Sequence, residues 1–303
     1  MRRAVVIGAG EIGAGWAALF AAHAVDVTLV DPDPGALART QTALREAKAL
    51  GVGGERTGRV ATAREFEAAL ADADWIQEAT PEAADLKRSL FARVETLAPS
   101  DAIIASSTSS LTRMQLSEGM SDPARLVIVH PLHPVYAIPV VEVNADPTLP
   151  PDTIERVLAT LRSLGREPVL VAGDRPGLVA NRLTAAVLRE ALDLIASGAI
   201  HAADLDRLVA RGIALGWAVH GPLMTEVIGA RLDAPERLLD ALDATLAPLW
   251  DTLASWASLD ERARATVERD LRSSLEGIQK AHAAGESTWA KTLSRVARAA
   301  ESD

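Results

Sequence analysis

Two residues suited to acid–base chemistry lie in the middle of the chain: His130, which opens the run HPLHP, and Glu142. A histidine titrates near neutral pH, so its imidazole can accept the proton of an alcohol. A carboxylate beside the ring would fix its tautomer and stabilise the imidazolium that forms. The pair predicts proton removal from a hydroxyl group. The structural alternative is a loop histidine satisfied by backbone groups and a glutamate that faces solvent.

Hydroxyl and amide groups recur in two other segments. The run Ser106–Ser110 (SSTSS) follows an apolar stretch, and Asn181 lies near the start of a long helical pattern. In open parallel sheets, ligands bind beyond the carboxyl ends of the strands, so we expect these groups to meet His130 there. Read one at a time, the serines form an ordinary polar turn and Asn181 caps a helix. Their combination predicts a site.

A glycine-rich turn near the N-terminus has the spacing of a dinucleotide-binding loop. The run GAGEIG follows the first apolar segment and opens a helical one. Its glycines allow a tight turn, close approach to a pyrophosphate and close packing of helix on strand, and the helix N-terminus offers free N–H groups. The residues expected to contact the cofactor here are Gly8, Gly10, Glu11, Ile12 and Gly13.

Asp31, at the end of the next apolar run, is the expected acceptor for the ribose hydroxyls of the cofactor. Its negative charge disfavours a 2′-phosphate, so we predict NAD rather than NADP. Arg39 lies too far along the chain to be assigned to a 2′-phosphate. The alternative is that the glycine run is only a turn and that Asp31 caps a helix before Pro32.

The elements that must position these residues follow from the hydrophobic periodicity. Short runs rich in Val or Ile predict buried strands at Ala4–Ile7, Val25–Val30, Asp74–Gln77, Ala102–Ala105, Leu126–Val129, Val140–Val143 and Val169–Val171. Helix-period segments lie between several of them, at Pro34–Leu50, Glu82–Leu97 and Pro151–Leu164. This alternation predicts an α/β fold of the Rossmann type, with a mostly parallel sheet covered on both faces.

From Pro176 onward the pattern is helical. The predicted helices are Leu178–Ser197, Ala203–Gly212, Pro222–Gly229, Pro235–Leu246, Asp260–Ala283 and Thr288–Ala300. The turn residues of Asp174–Gly177 mark a boundary. We therefore predict an NAD-binding domain at residues 1–174 and an all-helical C-terminal domain at residues 175–303.

The composition excludes several classes of protein. The chain has 303 residues and a net charge of -10, so we expect neither nucleic acid nor anionic lipid as a partner. It contains no cysteine, which excludes disulfides and thiolate chemistry, and we predict no metal site. No apolar run suggests a signal peptide or a membrane span, so we expect a cytoplasmic enzyme.

Together these motifs resemble the 3-hydroxyacyl-CoA dehydrogenase family over nearly the whole chain. The stretch His130–Val143 (HPLHPVYAIPVVEV) and the turn GPL at 221–223 are most similar to the branch of L-gulonate 3-dehydrogenase, also known as lambda-crystallin, and L-carnitine dehydrogenase. The resemblance implies NAD-dependent oxidation of a 3-hydroxyl group. It also implies a homodimer formed through a helical domain that helps to bind the substrate.

The resemblance also assigns roles by motif position. It makes His130 the catalytic base and Glu142 its partner carboxylate. It implies that Ser109 hydrogen-bonds the reacting oxygen and that Asn181 lies beside the substrate. The residues that it places near the nicotinamide end of the cofactor are Glu82 and Lys87, and we count Ser107 with the cofactor-binding residues.

Two positions depart from the pattern of that branch. Gly216 stands where the branch usually has an arginine, which would clamp a carboxylate with two hydrogen bonds. His133 stands where the family generally has asparagine, and either binds a different substrate group or only replaces the amide. We therefore predict a small 3-hydroxy acid other than L-gulonate and L-carnitine, oxidised to its 3-keto product.

Two other functions stay open at this point. A 3-hydroxyacyl-CoA substrate would need basic residues for its nucleotide phosphates, and Arg56 and Arg59 are the nearby candidates. A role as a non-catalytic, crystallin-like NAD-binding protein would not need all four of the residues matched to the catalytic site.

Overall fold

The computed structural model describes residues 1–63, 65–229, 235–283 and 293. The chain divides into two compact units, Met1–Asn181 and Arg182–Asp303. The first unit thus runs past the boundary predicted at residue 174 and includes the segment that leads to Asn181. The assignment of cofactor binding to one unit and of substrate binding and dimerisation to the other stays a prediction.

Within the described residues, the first unit is built on one eight-stranded sheet. Its strands are β1 (Arg3–Ile7), β2 (Asp26–Val30), β3 (Val60–Thr62), β4 (Trp75–Glu78), β5 (Ile103–Ser106), β6 (Leu126–Pro131), β7 (Val140–Ala145) and β8 (Glu167–Ala172). Their order is β3-β2-β1-β4-β5-β6-β7-β8. Neighbouring strands are parallel except for β6 and β7, which are antiparallel.

Helices cover both faces of this sheet. They are α1 (Glu11–Ala22), α2 (Ala36–Ala49), α3 (Phe66–Leu70), α4 (Ala84–Leu97), α5 (Arg113–Leu116) and α6 (Pro151–Ser163). Alternate residues of β1 join different cores because successive side chains of a strand point to opposite faces. Val6 belongs to the core around Trp16 and Phe20 of α1, whereas Val5 belongs to the core around Phe91 of α4. The predicted Rossmann-type α/β fold is confirmed.

The strand β3 is an element that the sequence pattern did not predict. It has three residues at the edge of the sheet and follows the glycine-rich loop 51–59. So short a strand carries too few residues for an alternating pattern to stand out. Its pairing with β2, for example between Thr28 and Ala61, extends the sheet on the side of Asp31.

The described residues of the second unit form helices and connecting turns, as predicted. The helices are α7 (Ala180–Ala196), α8 (Ala202–Leu208), α9 (Ala214–Gly229), α10 (Pro235–Thr245), α11 (Ala247–Trp250) and α12 (Glu261–Ala283). Ile195 of α7, Ala202 of α8 and Val267 of α12 form a small buried core. The helix predicted at Thr288–Ala300 lies outside the described residues, apart from residue 293. No described helix combines the length and apolar content needed to span a bilayer.

The helix α9 differs from the prediction at its start. The pattern predicted a helix from Pro222, but α9 begins at Ala214 after a π-helical turn, Val209–Ile213. Gly221, with φ of 77°, interrupts the helix just before Pro222 and creates a kink. Gly221 and Pro222 therefore mark a kink within a longer element and not the start of a helix.

Candidate active site

The imidazole of His130 and the carboxylate of Glu142 form a buried hydrogen-bonded pair. The antiparallel pairing of β6 with β7 sets these two residues directly opposite each other. His130 Nδ1 lies 2.8 Å from Glu142 Oε2, and the residues are only 5% and 4% exposed. Because Nδ1 faces the carboxylate, Nε2 is the nitrogen left for proton transfer. The arrangement can hold a base in one tautomer and stabilise its protonated form.

The second oxygen of Glu142 is held by the start of α7. Glu142 Oε1 accepts hydrogen bonds from the backbone N–H groups of Val179 at 2.9 Å and Ala180 at 3.0 Å. Burial acts to raise the pKa of Glu142, but the hydrogen bonds from His130, Ala180 and Val179 outweigh it and lower that pKa. The carboxylate therefore stays ionised beside the imidazole. Every residue type except proline has a backbone N–H, so the sequence pattern could not identify these two donors.

A loop after β5 carries the serines, and Glu82 organises it. Glu82 Oε1 accepts hydrogen bonds from Thr108 Oγ1 at 2.6 Å, from Ser109 N at 3.1 Å, and from both N and Oγ of Ser110 at 2.8 Å. Asn181 Nδ2 donates to the backbone oxygen of Ser109 at 3.0 Å. The structure thus brings Glu82, Ser109 and Asn181 into one hydrogen-bonded network.

The glycine run has the geometry that a dinucleotide pyrophosphate requires. Gly8 has φ of +87°, and a Cβ there would lie 2.5 Å from the backbone oxygen of Ala79. A Cβ on Gly13 would lie 1.8 Å from the backbone oxygen of Gly8. A Cβ on Gly10 would meet no atom within 4 Å, so this glycine faces open space at the N-terminus of α1. The N-terminal N–H groups of α1 have no side-chain cap, which fits a phosphate ligand.

Asp31 lies at the end of β2, where the ribose next to this pyrophosphate would come. Its carboxylate accepts hydrogen bonds from Ala9 N at 2.6 Å and Asp33 N at 2.7 Å. An ionised carboxylate has about four acceptor positions, so two remain for hydroxyl groups. The charge and position of Asp31 therefore fit the adenosine ribose of NAD.

The comparisons with known proteins decide the family. Residues 3–175 match the family described as 3-hydroxyacyl-CoA dehydrogenase, NAD binding domain. The chain belongs to this family. As a member of it, the chain is an NAD-dependent dehydrogenase that acts on a 3-hydroxyl group.

Its relatives include enzymes of the branch indicated by the motifs. L-carnitine dehydrogenases from Streptomyces griseus and Streptomyces coelicolor are both 36% identical to it, over 84% of this chain and 77% and 82% of their own lengths. A crystal structure of 5-formyl-3-hydroxy-2-methylpyridine 4-carboxylic acid 5-dehydrogenase, described as an NAD⁺-dependent dismutase, is also similar. It has 28% identity and a TM-score of 0.82, and the match covers 100% of this chain and 99% of that one. The resemblance stated from the motifs is confirmed.

Lys87, which the resemblance places near the nicotinamide end of the cofactor, is deeply buried. Its Nζ donates to Glu78 Oε1 at 2.5 Å and to the backbone oxygen of Thr80 at 3.1 Å, and lies 3.3 Å from Glu82 Oε2. An ammonium group has three donors, so these partners occupy all of them. Direct contact of Lys87 with the cofactor stays a prediction, and it requires the exchange of one of these bonds.

Glu78 is the residue of this region that the sequence pattern missed. Its carboxylate is fully buried, and it accepts hydrogen bonds from Lys87 and from Ser106 Oγ, each at 2.5 Å. A buried charge is costly unless it is paired, so Glu78 and Lys87 are needed together beneath the serine loop. A glutamate at the end of an apolar strand, nine residues before a lysine, is the signal that this pairing leaves in the sequence.

His133 lies apart from the His130 pair, in a cleft of about 450 Å³ beside α1 and α2. The charged and polar side chains that line this cleft with it are Glu11, Arg39, Thr42, Glu46 and Tyr136. Burial and a hydrogen bond to Glu46 raise the pKa of Tyr136, so its hydroxyl stays protonated and donates. Two carboxylates line this cleft, which disfavours the binding of a substrate carboxylate beside His133.

We expect Glu82→Gln to destabilise the fold at neutral pH and to destabilise it less in acid. Burial acts to raise the pKa of Glu82, but hydrogen bonds from Thr108 and Ser110 and the charge of Lys87 lower it to about 2. A pKa below the unfolded value of 4.5 means that the ionised group stabilises the folded state above pH 4.5, and this contribution is lost as the pH falls towards 2.

The measurement is the thermal unfolding midpoint of both proteins between pH 7 and pH 3. At pH 7 we expect a loss of about 1 kcal/mol for the variant, after allowance for solvent screening. Glu155→Gln, which changes an exposed carboxylate on α6, is the matched control. A difference between Glu82→Gln and the wild type that stays constant over this pH range would contradict the assigned ionisation.

Proposed function

We propose that this dehydrogenase oxidises the 3-hydroxyl of a small, free 3-hydroxy acid to the 3-keto product, with His130 as the general base. His130 Nε2 takes the hydroxyl proton, and bound NAD would supply the acceptor for the hydrogen of carbon 3, as a hydride. The observation that carries the proposal is the buried hydrogen bond of 2.8 Å between His130 Nδ1 and Glu142 Oε2. The ionised Glu142 then stabilises the imidazolium.

Ser109 and Asn181 are the proposed substrate-positioning residues. The Asn181 side chain is tied to the backbone of Ser109 at 3.0 Å, and Glu82 holds that backbone from the other side. A loop held at both points keeps its hydroxyl in place, which is what hydrogen bonding to the reacting oxygen requires. We assign that hydrogen bond to Ser109 Oγ and assign Asn181 to the side of the substrate.

A free acid is favoured over a CoA thioester by the charges near the glycine run GAGEIG, called here the fingerprint loop. The cleft beside α1 and α2 contains the carboxylates of Glu11 and Glu46 together with the guanidinium of Arg39, which is itself paired with Asp33. The loop arginines Arg56 and Arg59 are exposed, and such side chains are usually only solvated. The charge here is therefore not net positive, which gives little attraction for the phosphates of a nucleotide tail. The relatives named L-carnitine dehydrogenase act, by their names, on a small 3-hydroxy acid.

The choice among small acids depends on Gly216, which lies in α9. A Cβ on Gly216 would come within 2.6 Å of Thr225 Cγ2, so the two arms of the kinked helix pack too closely there for a side chain. An arginine clamp at this position is thus incompatible with the packing of α9. We propose a substrate other than L-carnitine and L-gulonate, and keep L-carnitine as the second candidate because of the relatives.

Steady-state kinetics over a substrate panel test this proposal. The panel contains short 3-hydroxy acids, their CoA esters, L-carnitine and L-gulonate, and NADH formation is the signal. We expect the highest kcat/KM with a short free acid. Efficient oxidation of L-carnitine or L-gulonate would show that this chain binds the carboxylate without residue 216. A preference for the CoA esters would overturn the choice of a free acid.

The role of residue 216 can also be tested by substitution. Gly216→Arg alone would collide with Thr225, so the useful variant combines it with Thr225→Ala, which leaves only Cβ at 3.6 Å. If residue 216 faces the substrate, we expect a gain of about tenfold in kcat/KM for short free 3-hydroxy acids over Thr225→Ala alone. A folded double variant with no gain for any acid would remove residue 216 from the substrate site.

The proposal includes a homodimer formed through the second unit and a cytoplasmic location, where NAD is available. Large apolar side chains of this unit are left in solvent, including Leu183, Val187 and Leu188 of α7 and Leu215, Leu223 and Met224 of α9, each between 42% and 63% exposed. Burying so much apolar surface between two chains is favourable.

We expect light scattering to give a dimer at micromolar concentration and Leu188→Asp to shift it towards monomer. Leu188 is 52% exposed, so the substitution adds no buried charge to the isolated chain. Met114→Asp changes a side chain in the first unit that is 71% exposed, and it serves as the matched control. A monomeric wild-type protein would contradict the proposed dimer.

A further inference from the structure

A row of hydrogen bonds runs through the core beneath the loop that follows β5. Trp75 Nε1 donates to Gln77 Oε1 at 2.9 Å, and Gln77 Nε2 donates to Ser107 Oγ at 2.8 Å. A second indole, that of Trp16 in α1, donates from Nε1 to the same Ser107 Oγ at 3.1 Å. Trp16, Trp75 and Gln77 are fully buried, whereas Ser107 is partly exposed.

The chemistry of these groups fixes the direction of every bond in the row. An indole N–H is a donor only, so Trp75 must be paired with the amide oxygen of Gln77. The NH₂ group of Gln77 therefore points to Ser107. Trp16 is again a donor only. Both lone pairs of the Ser107 hydroxyl are then occupied by donors, and its hydrogen must be donated elsewhere.

Packing holds both indoles in place. The ring of Trp16 stacks on Phe20 with centroids 5.5 Å apart, and Phe20 meets Trp75 edge-on at 6.2 Å. Within the described residues, the Ser107 hydroxyl has no acceptor for its hydrogen, and Ser107 is partly open to solvent. The core therefore presents a hydroxyl that can donate outward but cannot accept.

The sheet order indicates which part of the cofactor lies above Ser107. Asp31 follows β2, the fingerprint follows β1, and Ser107 follows β5, which lies on the opposite side of β1 from β2. A dinucleotide that crosses the carboxyl ends of the strands with its adenosine at Asp31 would bring its nicotinamide half towards β4 and β5. That half has oxygen acceptors in its ribose hydroxyls and its carboxamide.

We propose that Trp16, Gln77 and Trp75 are positioning residues that make the Ser107 hydroxyl an obligate donor to an oxygen of the nicotinamide half of NAD. The inference rests on the proposed contact between Ser107 and the cofactor. It adds that the buried row sets the direction of that contact. Gln77 acts through Ser107, and Trp75 acts through Gln77.

A double-variant cycle with NADH and AMP as probes tests the proposal by equilibrium binding. Ser107→Ala removes the donor, and we expect NADH binding to weaken about five- to tenfold. Gln77→Glu keeps the shape of the side chain but accepts the hydroxyl hydrogen, so we expect a loss of the same size. Because the effect passes through the hydroxyl, adding Gln77→Glu to Ser107→Ala should weaken NADH binding no further. AMP, which lacks the nicotinamide half, should bind all these proteins equally well.

Each outcome decides a separate part of the inference. Unchanged NADH binding in Ser107→Ala would overturn the contact itself. Additive losses in the double variant, or weaker binding of AMP, would show that Gln77 acts through the fold. Either result would contradict the proposed action of Gln77 through Ser107. If Gln77→Glu does not fold, Trp16→Phe gives the same cycle, because it keeps the ring that stacks on Phe20 and removes one donor. We expect it to weaken NADH binding about twofold alone and to have no effect in the Ser107→Ala protein.

Discussion

His130→Gln should lose on the order of 10²–10⁴-fold in kcat while NAD binding is retained. The glutamine can still hydrogen-bond to Glu142, so the buried carboxylate between β6 and β7 keeps a partner. Its amide cannot accept a proton at neutral pH, so the hydroxyl proton has no base. Steady-state kinetics give the loss in kcat, and fluorescence titration with NADH gives the binding. A protein that binds NADH normally but turns over slowly is the expected result.

Two companion variants make this test specific. Glu142→Gln removes a charge but leaves a hydrogen-bond partner, so we expect a smaller loss of kcat than in His130→Gln. His133→Gln changes the exposed histidine beside α1 and α2, and we expect near-normal kcat. If His133→Gln is the slow protein and His130→Gln is not, the base lies in the other histidine and the proposed mechanism is wrong.

The features that the sequence predicted are those encoded by local patterns. The glycine spacing of the fingerprint and the Val- and Ile-rich strands are set by backbone sterics and by burial on both faces of a sheet. His130 and Glu142 carry chemistry by residue type alone. That they meet depends on the antiparallel pairing of β6 with β7, and hydrophobic periodicity contains no information on strand direction.

Other features depend on contacts between residues that a loop or a kink brings together, and these left weaker signals. Glu78 and Lys87 are both fully buried, although charged side chains in a sequence suggest exposure. Gly216 looks like a loop residue, but it allows the two arms of α9 to pack against each other at Thr225. These roles follow from packing across the loop after β4 and across the kink of α9, and a hydrophobicity pattern does not indicate which atom a Cβ would meet there.

The sequence distance gives Arg39 no assignment to a 2′-phosphate, and the structure adds its position. Its Nε donates to the backbone oxygen of Ala9 at 2.9 Å. Arg39 lies in the first turn of α2, and helical side chains tilt towards the N-terminus of their helix. The guanidinium thus returns to the fingerprint loop and pairs with Asp33. Arg39 and Asp31 thus bond the same residue, Ala9, at its backbone oxygen and its backbone N–H respectively.

This placement gives a prediction for cofactor choice. Asp31→Asn keeps an oxygen that can accept from Ala9 N but removes the charge that repels a 2′-phosphate. We expect the preference for NAD over NADP to fall by about tenfold or more, because a single charge repulsion near the protein surface is of that size. Asp31→Ala also removes the tie to the loop, so it should weaken NAD binding more than Asp31→Asn does. The measurement is kcat/KM for NAD and for NADP with one substrate.

A second substitution, at Arg39, identifies the source of any gain in kcat/KM with NADP. With Asp31 neutral, the guanidinium of Arg39 remains as a cation bonded to the backbone of Ala9 in the fingerprint loop, and a guanidinium suits a phosphate. Adding Arg39→Gln to Asp31→Asn should therefore remove most of the gain with NADP and leave kcat/KM for NAD nearly unchanged. If the gain persists, relief of repulsion alone explains it and Arg39 takes no part. A wild-type protein that uses NADP as readily as NAD would instead show that Asp31 does not contact the ribose.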